Sequence, residues 1–400
     1  VVVPRFEPFR ALRYSGVDLD LVLAPPYDVL SDSDRQELSA RHPQNVVHVD
    51  VPLEADGPRR YDDAGRRLRS WVELGVLVAD DADSFTIYRM EFVDAQGRRR
   101  RTSGVIGALE VVDEGAGGVL PHERTTPKAR TDRLDLTRST LTNLSPVWGL
   151  SLADGLTDLL EQPGEPMGSV SVDGVLHVFE RITEPDRVVA ISRAVSSHDV
   201  VIADGHHRYA ISRTFRDEER VNDTGSHGRA ETTMTYVGEL ITDQLSVAAI
   251  HRLYSGIDYV ALRDTLAAFF ELEPAGPVDA DVTNGMDRRG SLVLVAPDGT
   301  GTWLTPRPDA FADVRDLDGA RLEHALAGIT HEVTYQHGVD HVVDIVSNAR
   351  HGTTAGILIR PVTVAEIRRT ADEGLLMPPK STFFTPKLRT GPVIRPLFDL

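Results

Sequence analysis

Tyr61, Ala64, Leu68, Trp71 and Val72 recur at three- and four-residue intervals, with Arg66, Arg67 and Arg69 between them. That spacing predicts an amphipathic helix, closed by Gly75. The same period marks helices through Leu38 and Ala40, with Ser31 or Ser33 as cap, through Ala210, Ile211 and Phe215, and through Leu262, Leu266, Phe269 and Phe270. Val339, Val342, Val343 and Val346 predict another, and Thr363 followed by Glu366 has the capping-box spacing for a helix to Asp372. Short β-branched and aromatic runs predict strands at 19–23, 46–51, 85–92, 102–112, 200–203, 232–237 and 355–360. Asp94 to Gly97 reads as a hairpin loop, and 291–305 as a hairpin turning at Asp298-Gly299. The polar stretch 216–230 reads as a mobile insertion and 271–289 as a loop.

Helices alternating with strands, several of them in hairpins, predict an α+β (mixed α/β) fold with mixed or antiparallel sheets. Three regions are expected: an N-terminal α/β region at 1–115, a core at 116–240 and a C-terminal α/β region at 241–400. With 400 residues and a 41% hydrophobic fraction, the chain can build a large core without staples. It contains no cysteine, which removes disulfides, thiolate zinc sites, Fe–S clusters and cysteine nucleophiles together. The opening residues lack a basic segment before an apolar run, and no apolar stretch is long enough to cross a bilayer. The expectation is a soluble cytoplasmic protein without a membrane partner, and a homo-oligomer is compatible with it. A net charge of −18 disfavours a nucleic-acid partner but leaves room for a basic pocket that takes a small anion. The short tract Arg98 to Arg101 lacks aromatic interleaving and reads as a solvated hairpin arm.

Three clusters can carry chemistry. Asp204-Gly205-His206-His207-Arg208 follows the strand 200–203 and opens a helix. Gly205 allows a tight reversal, and the first N–H groups of the helix can point at an anion. Arg208 can hold two phosphate oxygens in its planar fork. His206 and His207 can donate hydrogen bonds or move protons, while Asp204 can bind Mg²⁺ or orient a histidine. Adjacent histidines suit a zinc site on one helix poorly, because ligands there need spacing of three or four. In the second cluster, His122-Glu123 is followed by Thr125, Thr126, Lys128, Arg130, Asp132 and Arg133. Glu123 can take a proton from a hydroxyl while the cations hold an anionic substrate; a charged surface loop is the competing reading. The third cluster, Met377 to Lys387, carries Lys380, Ser381 and Lys387 among prolines and Phe383-Phe384. Either lysine can neutralise phosphate, and the aromatic pair can anchor the segment. Asp28, after Pro25-Pro26-Tyr27, is a further carboxylate, and His251-Arg252 reads as structural.

Pro25-Pro26-Tyr27-Asp28-Val29, Pro121-His122-Glu123-Arg124-Thr125, Asp204 to Tyr209 and Met377 to Thr382 occur in an order that resembles the DUF1015 family of bacterial and archaeal proteins. More distantly, the loop Gly205 to Arg208 resembles the Gly-x-x-Arg loop of the ParB/sulfiredoxin superfamily. That resemblance implies a ParB/sulfiredoxin-like core at 116–240 whose helix start binds nucleotide phosphates. The superfamily includes CTP-binding partition proteins, ATP-using sulfiredoxins and free serine kinases. It implies ATP or ADP as cofactor, with CTP a further option, together with Mg²⁺ and a small hydroxyl substrate such as serine. Gly205, His207, Arg208, Lys380, Ser381 and Lys387 would then contact the nucleotide. Glu123, Asp204 and His206 would be catalytic, with Asp204 as metal ligand. A cysteine mechanism like sulfiredoxin's is excluded by composition. Three functions remain open: a nucleotide-dependent phosphotransferase, a non-catalytic nucleotide-binding regulator, and a metal-dependent hydrolase using His122, Glu123, His206 and His207.

Overall fold

Phe6, Phe85, Ile87, Val105 and Leu109 recur at alternate positions on neighbouring strands, and the core they share organises the larger part of the molecule. The computed structural model describes residues 2–94, 97–124, 130–222 and 228–399, apart from the side chains of Arg130, Thr131, Asn222 and Ala280. Two compact units are present, 1–246 joined by 386–400, and 247–385.

The first unit is built on a mixed sheet. Its strands are β1 (Phe6–Glu7), β2 (Phe85–Val93), β3 (Arg99–Glu110), β4 (Val119–Pro121), β5 (Val147–Ser151), β6 (Glu165–Val172), β7 (Val175–Ile182), β8 (Val200–Asp204) and β9 (Thr232–Glu239). They run in the order β4-β8-β5-β9-β3-β2-β7-β6, with β1 pairing the end of β3. The pairs β4/β8 and β5/β9 are parallel and the others antiparallel. The expected boundary at 115/116 therefore falls inside one sheet: β2 and β3 share it with β4, β5, β8 and β9.

The longer helices of the unit are α1 (Asp32–Arg41), α2 (Arg60–Glu73), α3 (Arg130–Thr140), α4 (Pro185–Val195) and α5 (His206–Asn222). α1 starts as expected at Ser31, whose side chain and that of Asp34 close a reciprocal capping box. α2 buries Ala64, Leu68 and Trp71. Arg98 and Arg100 both pair with the buried Asp94 carboxylate, which accounts for the arginine tract within the hairpin; Ala95 and Gln96 of its loop lie outside the described residues.

Two expected strands are short helices. Val47–Asp50 is helical because Asn45 caps it, its Oδ1 accepting from Val47 N, and because Val46, Val47, Val49 and Asp50 are all buried. Burial on every side erases the periodicity that separates helix from strand. Leu19–Val22 forms one helical turn, with the Leu23 N–H donating to Leu19 O before Pro25-Pro26 forces extension. α3 and α4 carried no clear pattern in the sequence. Residues 216–222, read as part of an insertion, instead continue α5; 223–227 lie outside the described residues.

The second unit is an antiparallel sheet of β10 (His251–Ser255), β11 (Phe270–Pro277), β12 (Leu292–Val295), β13 (Thr300–Pro306), β14 (Glu332–Gln336) and β15 (Thr353–Leu358). Its order is β11-β13-β12-β15-β10-β14. Tyr259–Ala267, Asp318–Leu326, Val339–Ser347 and Val364–Asp372 are helices, and the Thr363 side chain accepts from Glu366 N as its spacing predicts. The stretch 271–289 is not a loop: it holds most of β11 and the helix Ala280–Arg289. Its Glu, Pro and Gly content hides an edge strand, which needs burial on one face only.

Candidate functional site

β8 ends at Asp204 and α5 begins at His206, so Gly205 alone makes the reversal, at φ +85°. The Gly205 carbonyl accepts the first helical bond, from Tyr209 N at 2.9 Å. The N–H groups of His206, His207 and Arg208 accordingly have no carbonyl partner within the helix. α5 is held firmly against β3. Tyr209 donates to Glu110 O and accepts from Val112 N, and the buried Arg216 donates to Val111 O.

Asp204 is the electrostatic centre of the junction. Its Oδ2 lies 3.0 Å from an Arg208 Nη and 3.3 Å from Lys387 Nζ. Burial by itself would raise this carboxyl. Lys387, Arg208 and His206 outweigh it and hold Asp204 well below the usual aspartate range. Arg208 also donates to the Pro146 carbonyl. Burial opposes its charge, and Asp204, Asp28, Tyr27 and Asp50 more than restore it.

A group with a depressed folded-state pKa adds stability above its unfolded value and loses it as pH falls through the folded one. Asp204→Asn should therefore be less stable than the parent at neutral pH, with the gap narrowing once pH drops below the ordinary value of 3.8. Urea unfolding of both proteins across that range checks this; a gap independent of pH would contradict it.

The His122-Glu123 segment reaches the same junction. β4 runs parallel to β8 with Pro121 opposite Ile202, and Glu123 and Asp204 each stand two residues beyond that last pair. His122 is fully buried and its Nδ1 donates to Ile202 O at 2.5 Å, which places a proton on Nδ1. The His122 and His206 rings lie 4.9 Å apart, centroid to centroid. Two clusters far apart in sequence thus share one edge of the sheet. Thr125, Thr126 and Lys128 lie outside the described residues.

The third cluster divides between the units. Lys387 belongs to the first, carried there by the C-terminal segment 386–400, whose Arg395–Pro396 pairs with Thr142–Asn143. Lys380 and Ser381 belong to the second. There Ser381 Oγ donates to Pro378 O, and Arg252 donates to the carbonyls of Pro379 and Lys380.

Beside Arg208 opens a cleft lined by Tyr27, Asp50, Arg133, Thr142 and Ser145, of which only Arg133 was expected, as one of the cations after Glu123, to hold a substrate. It offers about 60 Å³ of space for solvent, enough for a few waters or one small molecule and far below the size of a nucleotide site. The Arg133 guanidinium stacks 3.5 Å over the Tyr27 ring and pairs with Asp50 at 3.0 Å. Burial pushes the Asp50 carboxyl up, against the opposing pull of Arg133 and Arg208. Arg133 stood in the cation-rich cluster after Glu123 and Tyr27 in the Pro25-Pro26-Tyr27-Asp28 motif, while Asp50, Thr142 and Ser145 gave no signal.

Among the described residues, no group of three or more His, Asp or Glu side chains is placed to hold a metal ion. Asp204 is already shared by two cations, so the donors here do not fit Mg²⁺ in the role first expected. The described geometry likewise lends no support to a metal-dependent hydrolase.

A family profile described as "Protein of unknown function (DUF1015)" matches residues 6–320. The chain belongs to the DUF1015 family. Within DUF1015, the match spans the Tyr27, Glu123 and Asp204–Arg208 segments and stops short of Lys380 and Lys387. No curated protein matches this DUF1015 chain. Among solved structures it is similar to a conserved hypothetical protein from Pyrococcus furiosus, at 11% identity over 67% of this chain and 87% of that one, TM-score 0.36. It is also similar to a free serine kinase in complex with AMP, at 12% identity over 67% and 83%, TM-score 0.36. A third is SbnI with C-terminal truncation from Staphylococcus aureus, at 12% identity over 73% and 87%, TM-score 0.41. At these scores the likeness bears on neither the site nor the reaction. No described helix is long and apolar enough to cross a membrane.

Proposed function

We propose that the first unit is a nucleotide-dependent phosphotransferase acting on the hydroxyl of a small metabolite, serine being one candidate. One observation carries this reading: a left-handed glycine at a strand end opens a helix beside two cations, Arg208 and Lys387, that converge on one carboxylate. Such a junction suits a phosphate, which would compete with Asp204 for both cations and accept from the first N–H groups of α5. The resemblance of Gly205 to Arg208 to the ParB/sulfiredoxin loop agrees with it, and a core of that kind is part of the proposal.

In the transfer, the acceptor oxygen attacks the terminal phosphorus of ATP and the bond to the bridging oxygen breaks, releasing ADP. With ADP as donor the leaving product is AMP. Glu123 takes the hydroxyl proton, while Arg208 and Lys387 offset charge on the transferring group. His207 donates to a phosphate oxygen, and His206, whose ring lies against that of His122, moves a proton at the same edge. No step is routed through Mg²⁺, since Asp204 is otherwise engaged. Lys380 and Ser381 belong to the second unit, where Arg252 and Pro378 hold their segment.

Phosphate transfer from ATP, ADP or CTP to L-serine, glycerol and sugars, followed by phosphorus NMR, tests the reading. Glu123→Gln should lower turnover by about 100-fold or more while nucleotide affinity stays within twofold or so. Failure of all three nucleotides to bind at millimolar concentration would overturn it. Tight binding with no transfer to any acceptor would favour a non-catalytic nucleotide-binding regulator instead.

A further inference from the structure

Three side chains that line the cleft beside Arg208 each carry a buried polar atom with no hydrogen-bond partner among the described residues: Asp50 Oδ2, Thr142 Oγ1 and Arg208 Nε. Such atoms are rare in a folded protein, because each costs on the order of 1–3 kcal/mol when nothing replaces its lost water. Asp50 is 2% exposed and Thr142 3%. The remaining polar atoms of these side chains are well used. Asp50 Oδ1 accepts from Arg133 at 3.0 Å, and both Nη atoms of Arg208 are committed, to Pro146 O and to Asp204. The side chains that line the cleft therefore hold one unfilled acceptor on a carboxylate, one unfilled donor on a guanidinium, and a hydroxyl able to do either.

A purely anionic ligand would satisfy Arg208 Nε and leave Asp50 Oδ2 facing like charge. A purely cationic ligand would do the reverse. A molecule with a positive donor at one end and a carboxylate at the other satisfies both, and the size of the cleft limits it to a few heavy atoms. We propose that this cleft binds a small α-amino-acid zwitterion, its ammonium at Asp50 Oδ2, its carboxylate at Arg208 Nε and Thr142 Oγ1 between them. Resting on the phosphotransferase reading above, the cleft is then the acceptor pocket, and Arg208 is shared between acceptor and phosphate.

Isothermal titration of the full chain with glycine, L-serine, acetate and ethanolamine tests the assignment. Glycine and L-serine should bind saturably at millimolar concentration or below, and acetate and ethanolamine, each lacking one charged end, at least about tenfold more weakly. Thr142→Val should weaken L-serine about tenfold and leave the ligand-free Tm equal or higher, because it deletes an unpaired buried hydroxyl. Asp50→Asn should weaken it further; should that variant fail to fold through loss of the Arg133 pair, Thr142→Val still decides. No saturable binding of glycine or L-serine, equal binding of acetate, or a Thr142→Val protein with lowered Tm and unchanged affinity would each overturn the proposal. ATP titration of the same sample separates the two readings. ATP binding without amino-acid binding removes the pocket alone, and amino-acid binding without nucleotide binding removes the transferase alone.

Discussion

Arg208→Met should cost about 3 kcal/mol of stability and raise the Kd for nucleotide about 100-fold, the largest loss expected from any single change at the junction. The guanidinium supplies one of two cations to Asp204 and a donor to the Pro146 carbonyl. Removing it leaves a buried carboxylate on Lys387 alone and a carbonyl without its donor. Truncating one member of a buried ion pair costs more than the pair contributes, since the remaining charge stays desolvated. Arg208→Lys is the informative companion. It keeps the charge but not the fork, so it should recover part of the stability and little of the phosphate affinity. Urea unfolding and nucleotide titration of the three proteins measure both quantities. Wild-type nucleotide affinity in Arg208→Met would remove the anion-binding role of the loop.

Gly205→Ala should cost roughly 2 kcal/mol and weaken nucleotide binding about tenfold or more, through strain and displacement together. At φ +85° a side chain is strained, and an added Cβ would lie 2.9 Å from Arg208 Nε and 3.1 Å from the guanidinium carbon. Arg208 must then move off Asp204 or α5 must shift. Gly228→Ala is the control: its φ of +83° imposes comparable strain, but among the described residues nothing lies within 4 Å of the new Cβ. The excess cost of Gly205→Ala over that control reads the displacement of Arg208. Equal costs in both, with unchanged nucleotide affinity, would show that the close approach at Gly205 has no role in binding.

The residues that announced themselves in the sequence are those whose neighbours along the chain set their structure. α2, the Ser31 cap, the 291–305 hairpin and the passage from β8 through Gly205 into α5 all rest on period, capping or glycine geometry within a few residues. Val47–Asp50 escaped because near-complete burial hides its period, Leu19–Val22 because a single turn is too short to show one, and β11 because an edge strand has little to show. The candidate site divides along the same line. By itself the sequence determined that Asp204 to Arg208 forms a strand-to-helix junction whose first N–H groups lie outside the helical hydrogen-bond ladder, since backbone chirality and the first-turn hydrogen-bond deficit are local properties. Only the tertiary structure decided that His122 lies against His206, that the C-terminal segment brings Lys387 to Asp204, and that Asp50, Thr142 and Arg208 meet in one cleft. Those meetings depend on sheet order and on where a distant segment returns, and the energy that selects them comes from burying whole strands rather than from the residues that meet.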